Sequence, residues 1–168
     1  VPASRCEVIG WLLRTQFLKT QNVIVHKTKL PYVFIGSGGQ GAGNTFELMK
    51  ELMDHPTLLQ SYACVVSVGS NKFLERTLQL YKEFKKEHNV HIVPSTDHID
   101  EYMRGANFVV GKLGPNFLFE SLALEKPIVV TSYIPGQEDG NVAFVQKEKL
   151  GWIELTTRKA FDRIHQLL

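Results

Sequence analysis

The sequence predicts an α/β fold: a parallel sheet with helices on both faces. Strand-like and helix-like segments alternate along the whole chain. The strand-like segments are continuous apolar runs such as residues 62–68 (YACVVSV), without polar alternation. Strands of that kind are buried on both faces by crossover helices. A length of 168 residues suits one domain, residues 1–168, with a single core.

Residues 5–11 read as a short strand running into a loop that carries Arg14 and Thr15. Residues 31–36 (PYVFIG) read as a buried strand, ending in the glycine-rich loop 37–43 (SGGQGAG). Asn44 is placed to cap the next helix, whose apolar face is Phe46, Leu48, Met49, Leu52 and Met53. The strand at 62–68 is closed by Gly69-Ser70-Asn71. Residues 72–87 have the spacing of a long amphipathic helix, with Phe73, Leu74, Leu78, Tyr81 and Phe84 expected inward. Then come a short strand (90–93), a short helix (97–105), a strand (107–110), a helix (116–124) opened by Gly114-Pro115, and a strand (127–130). A Gly/Pro loop leads through Gly140 to a helix (141–149), a short strand (152–154) and a last helix (156–168). No internal repeat or low-complexity tract interrupts this Rossmann-like order.

Composition narrows the function. Hydrophobic content of 43% and charged content of 21% are ordinary for a globular protein. Nineteen basic and 17 acidic side chains give a net charge of +2, which argues against a nucleic-acid partner. Cys6 and Cys64 fit no metal spacing and read as buried, reduced thiols of a cytosolic protein. No apolar run reaches the roughly 18–20 residues a bilayer span needs, and no signal peptide is recognisable. The first residue is Val1, so the chain is expected to be a piece or processed product of a longer protein.

In doubly wound sheets, ligands bind beyond the carboxyl ends of the strands. The loops after Gly36, Val68, Val93, Val110 and Val130 are therefore the candidate site. Gly36-Ser37-Gly38-Gly39-Gln40-Gly41 matches G-x-G-x-x-G between a strand and a helix, where backbone N–H groups can approach an anion. A dinucleotide site also needs an acidic residue ending the next strand, and Val68-Gly69-Ser70-Asn71 has none. No Lys-Ser/Thr pair follows the glycines, so a Walker loop fails too; a purely structural turn remains open. In the second loop, Gly114-Pro115 and a capping Asn116 open a helix with Glu120 one turn in. Glu120 can accept a ribose diol or simply complement the helix dipole. The third loop, 133–141 (YIPGQEDGN), clusters amide and carboxylate groups suited to sugar hydroxyls, although a solvated loop has similar composition.

Gly114-Pro115, Glu120, Leu124, Pro127-Ile128 and the run Tyr133-Ile134-Pro135-Gly136-Gln137-Glu138-x-Gly140-Asn141 resemble the C-terminal half of GT-B glycosyltransferases. The chain is most similar to the branch of monogalactosyldiacylglycerol synthases and diacylglycerol glucosyltransferases. It looks more distantly like the N-acetylglucosaminyltransferase that forms lipid II. The resemblance covers nearly the whole chain, and its most specific part is the Gly-Gln-Glu-x-Gly-Asn loop. It implies a UDP-hexose donor, no cofactor and no bound metal. Arg14, Ser37, Gly38, Gly39 and Gly41 would lie near the diphosphate, with Gly114, Pro115 and Asn116 at the second helix start. Backbone groups at Ser95 and Thr96 would read uracil, Glu120 would bind ribose, Gln137 and Glu138 would grip the hexose, and Asn141 would start the helix supporting them. The family usually has Gly-Pro-Gly-Thr where this chain has Gly114-Pro115-Asn116-Phe117, so Phe117 replaces a hydroxyl with bulk. Lys112 could supply compensating charge or face solvent.

The resemblance also implies a partner: an N-terminal acceptor-binding domain that supplies the general base. His88, His91 and His98 read as surface residues, and His26, His55 and His165 have no supporting neighbours in sequence. The expected function is the donor half of an enzyme moving a hexose to a lipid such as diacylglycerol, at a membrane surface or in the cytoplasm. Three alternatives stand beside it: a stand-alone subunit paired with a separate acceptor-binding chain, a degenerate binding module, and a UDP-sugar epimerase.

Overall fold

A computed structural model describes residues 3–5, 7, 10–18, 28, 30–36, 38 and 44–168. Among the described residues, six strands form one sheet, paired in parallel throughout: β1 (Tyr32–Gly36), β2 (Ala63–Gly69), β3 (Val90–Pro94), β4 (Phe108–Lys112), β5 (Ile128–Ser132) and β6 (Gly151–Ile153). Their spatial order is β3-β2-β1-β4-β5-β6, a doubly wound arrangement.

Period-2 geometry divides each central strand between two cores. Val33 and Ile35 of β1 face α2 (Thr45–Met53), α4 (Lys72–Lys85) and α8 (Thr157–Leu167). Tyr32 and Phe34 face the other layer: α1 (Thr15–Leu18), α5 (Ile99–Gly105), α6 (Pro115–Ala123) and α7 (Asp139–Lys147). All of β1 is buried, so a continuous apolar run is what such a strand requires. Cys64 is fully buried in β2, and burial pushes its thiol up to about 12, so it is inert at neutral pH. Cys6 lies outside the described residues.

Several expectations need correction. The start of the chain is not a strand among its described residues: Ala3–Arg5 is a 3-10 turn, and residues 10–14 run without regular structure into α1. A short helix, α3 (Pro56–Leu59), was not anticipated; Pro56 opens it after His55. His55 also has neighbours, the Glu51 carbonyl 2.8 Å from its Nδ1 and the Phe161 ring. Asn44 occupies the N-cap position of α2 but makes no side-chain cap bond. On α4, Leu74 and Leu78 are buried, whereas Phe73 is 82% and Phe84 76% exposed. One residue turns a helix by about 100°, which carries Phe73 off the stripe set by Leu74, Leu78 and Tyr81. Finally, α6 begins at Pro115 with Gly114 at its N-cap, so Asn116 is not the cap expected, and α7 begins at Asp139, so Asn141 lies inside the helix it was expected to start.

Candidate functional site

The reversal of strand order between β1 and β4 opens a crevice at their carboxyl ends. Gly36 and Gly111 stand in register there. A Cβ on Gly111 would collide with the Gly36 carbonyl oxygen, and one on Gly36 would come 2.8 Å from Cε2 of Phe117. The two strands therefore face each other without side chains at this register, and the Phe117 ring lies against it. The next turn passes through Gly38 at φ +72°, a conformation glycine adopts without steric cost.

Over this point lies a cleft of about 320 Å³. It gathers six of the residues singled out from sequence: Arg14, Gly38, Ser95, Thr96, Asn116 and Glu120. Ser67 and Gly69 contribute the end of β2, and Phe34, Ile99, Met103 and Phe117 give apolar wall. Ser37, Gly39 and Gly41 lie outside the described residues.

Each wall has a local cause. At the start of α6, Pro115 takes the first helical position, where its missing N–H costs nothing and its fixed φ is already helical. The amides of Asn116 and Phe117 lack intrahelical acceptors, and the helix dipole there favours an anion. Arg14 is delivered by α1, which is pinned from three sides. Phe17 is buried, Gln16 Nε2 donates to the Asp97 carbonyl at 2.5 Å, and Arg104 donates to the Gln16 carbonyl at 3.3 Å. The Arg14 guanidinium lies 4.9 Å from the Phe17 ring centre. It meets Glu120 in a two-bond fork, Nε to Oε1 at 2.7 Å and NH2 to Oε2 at 3.0 Å. Glu120 is thus neither a surface residue nor an idle one.

The third loop is arranged differently from the expectation. Gln137, Glu138 and Asn141 do not line the cleft. Glu138 is buried, with Oε1 held by the Lys112 ammonium at 2.7 Å and Oε2 accepting from the Ile134 N–H at 2.6 Å. Asn141 Nδ2 donates to the Leu113 carbonyl at 3.2 Å, while Gln137 is exposed. These bonds tie the β5–α7 loop to the end of β4. The loop adjoins the start of α6, where a Cβ on Gly114 would stand 3.6 Å from Glu138 Oε1. Lys112 therefore does not simply face solvent. Its partner across the fold could not be read from spacing along the chain, but Gly111 could have been: a glycine in an apolar strand signals close backbone approach. Among the described residues, no cluster of His, Cys, Asp and Glu has the makings of a metal site.

Over 174 residues, 99% of the chain is 29% identical to 43% of a processive diacylglycerol beta-glucosyltransferase from Staphylococcus carnosus. A probable chloroplastic monogalactosyldiacylglycerol synthase 2 from Oryza sativa is 31% identical over 80% of the chain and 29% of its own length. The chain thus spans less than half the length of these curated relatives. Among solved structures, UDP-GlcNAc 2-epimerase from Neisseria meningitidis bound to UDP-GlcNAc superposes with a TM-score of 0.59 at 17% identity, covering 82% of this chain and 35% of that one. WaaG, a glycosyltransferase of lipopolysaccharide biosynthesis, gives 0.58 at 15% identity over 83% and 38%. At these identities the structures establish the shared fold alone. The model of the glycosyltransferase family 28 C-terminal domain matches residues 32–168, and the chain belongs to that family.

Proposed function

We propose that this domain binds the UDP-hexose donor of a hexosyltransferase whose acceptor is a lipid such as diacylglycerol. One observation carries the reading: the cleft at the strand-order reversal unites a helix N-terminus, a buried carboxylate, an arginine and the loop after β3. Each matches a part of a nucleoside diphosphate. The α6 amides and Arg14 serve the diphosphate and stabilise the leaving UDP. Glu120 serves the ribose diol, and peptide groups at Ser95 and Thr96 serve the uracil edge. Gln137 is the exposed group at the sugar end, and Glu138 and Asn141 fix its loop. The names of the curated relatives support a diacylglycerol acceptor, and the relative bound to UDP-GlcNAc supports a UDP-sugar donor. The acceptor site and the general base belong to a second module.

A second reading makes this chain a subunit that pairs with a separate acceptor-binding chain. The exposed Trp11, Leu12 and Leu18, on the segment that carries Arg14, favour it, since they offer apolar surface to a partner. Titration with UDP, UDP-galactose, UDP-glucose and UDP-N-acetylglucosamine tests the donor site common to both readings. No UDP binding at millimolar concentration would refute it. Glu120→Ala is expected to weaken UDP and all the sugars alike, by about tenfold or more for a lost charged hydrogen bond. Gln137→Ala is expected to weaken only the UDP-sugars; an equal loss for free UDP contradicts its place at the sugar end.

A further inference from the structure

Glu120 is asked to do two things that use the same atoms. A vicinal diol binds a carboxylate by two parallel hydrogen bonds, one to each oxygen, and Arg14 already makes that pair of bonds. The Glu120 side chain is only 7% exposed, so there is little room for a diol to approach past the guanidinium. Arg14 is 47% exposed and lies over the Phe17 ring, so it is free to turn while Glu120 is fixed in α6.

We infer that Arg14 makes this cleft select nucleoside diphosphates against bare nucleosides, by exchanging its partner from Glu120 to the diphosphate. The inference rests on the donor reading above. While paired with Glu120, Arg14 neutralises a buried carboxylate and occupies the diol's seat. A nucleoside entering alone takes that seat and leaves the guanidinium without an anion. A nucleoside diphosphate takes the seat and returns an anion of the geometry guanidinium prefers. Diol and diphosphate are thereby coupled through one side chain, and the coupling is reciprocal. Arg14 is a specificity residue in this scheme because it opposes one part of the ligand and holds another.

The test is calorimetric titration of the full chain with UDP, UMP and uridine, for wild type, Arg14→Gln and Arg14→Lys, with thermal melts to establish folding. Arg14→Gln is expected to bind uridine about tenfold more tightly than wild type and UDP about tenfold more weakly, within the usual range of coupling factors. Arg14→Lys keeps the charge but cannot fork both oxygens. It is expected to gain uridine affinity and keep most of the UDP affinity, and it decides the matter if Arg14→Gln does not fold. UMP should fall between the two ligands in every protein. A merely structural arginine would weaken UDP and uridine together, so unchanged or reduced uridine affinity in a folded variant overturns the exchange. That result leaves the donor reading standing, whereas wild type failing to bind UDP removes the donor reading itself.

Discussion

Gly111 has no side chain because the backbone of β1 stands where one would be. A Cβ there meets the Gly36 carbonyl, which is main chain and cannot swing away. Gly111→Ala is therefore expected to destabilise the domain by about 1–3 kcal/mol, the usual cost of an overpacked core. Each kcal/mol should appear as a fall of about 2–4 °C in thermal midpoint for a domain of this size. The same substitution would push apart the strands that floor the cleft, so UDP affinity should fall with stability. The residue scale is also where sequence reading reached furthest and stopped most abruptly. Arg14, Ser95, Thr96, Asn116 and Glu120 do converge: Ser95 and Thr96 follow β3, Asn116 and Glu120 lie in the first turns of α6, and Arg14 stands just before α1. What could not be foreseen is that Arg14 and Glu120 hold each other, 106 positions apart, or that Glu138 is spent on Lys112. Spacing along a chain does not report which opposite charges meet across it.

Among elements, the packing of α2 against α4 carries a defined pH response. Asp54, the C-cap of α2, bonds to Lys50 at 2.8 Å, to Lys85 of α4 and to the Tyr81 hydroxyl at 2.8 Å. Lys50 first, then Lys85 and Tyr81, hold its carboxyl well below the usual carboxylate range. A carboxyl whose pKa is lowered on folding adds stability above its unfolded pKa, about 3.9, and loses it as pH falls further. Asp54→Asn is thus expected to lower the urea midpoint at pH 7. The gap from wild type should narrow below pH 4, as the carboxyl of the unfolded chain takes up a proton while the native carboxylate stays ionised. A gap that stays constant down to pH 2.5 would show that Asp54 acts through shape and not charge. Element types were legible where apolar runs were long, as in β1 and β2. Phe73 and Phe84 misled because an apolar side chain at a helix surface is common and carries no mark in the sequence. The four residues of α3 are too few to show a helical period, although Pro56 marks their start.

At the scale of the whole molecule, alternation of strand and helix was enough to give the sheet and its two covered faces. The site's location then followed from a rule about sheets, not from any one motif. Only the order in which the strands lie needed the structure, since a chain of alternating elements fits more than one parallel order. That order has a consequence for synthesis. β1 is central, yet its neighbour on one side, β4, is made some 70 residues later, with Tyr32 N–H waiting for the Asn107 side chain and Asn107 N–H for the Tyr32 carbonyl. At ribosomal rates of about 5–20 residues per second, that edge stays open for roughly 4–15 seconds. A nascent chain of β1, β2 and β3 presents an apolar strand with unpaired backbone, the template on which other chains aggregate. A fragment ending at residue 106 is expected to precipitate or bind a holdase, and extension through β5 should restore solubility. Equal solubility of the two fragments would show that another part of the chain covers the edge. For this domain, the candidate crevice lies on the seam of the sheet whose two strands are made furthest apart in time.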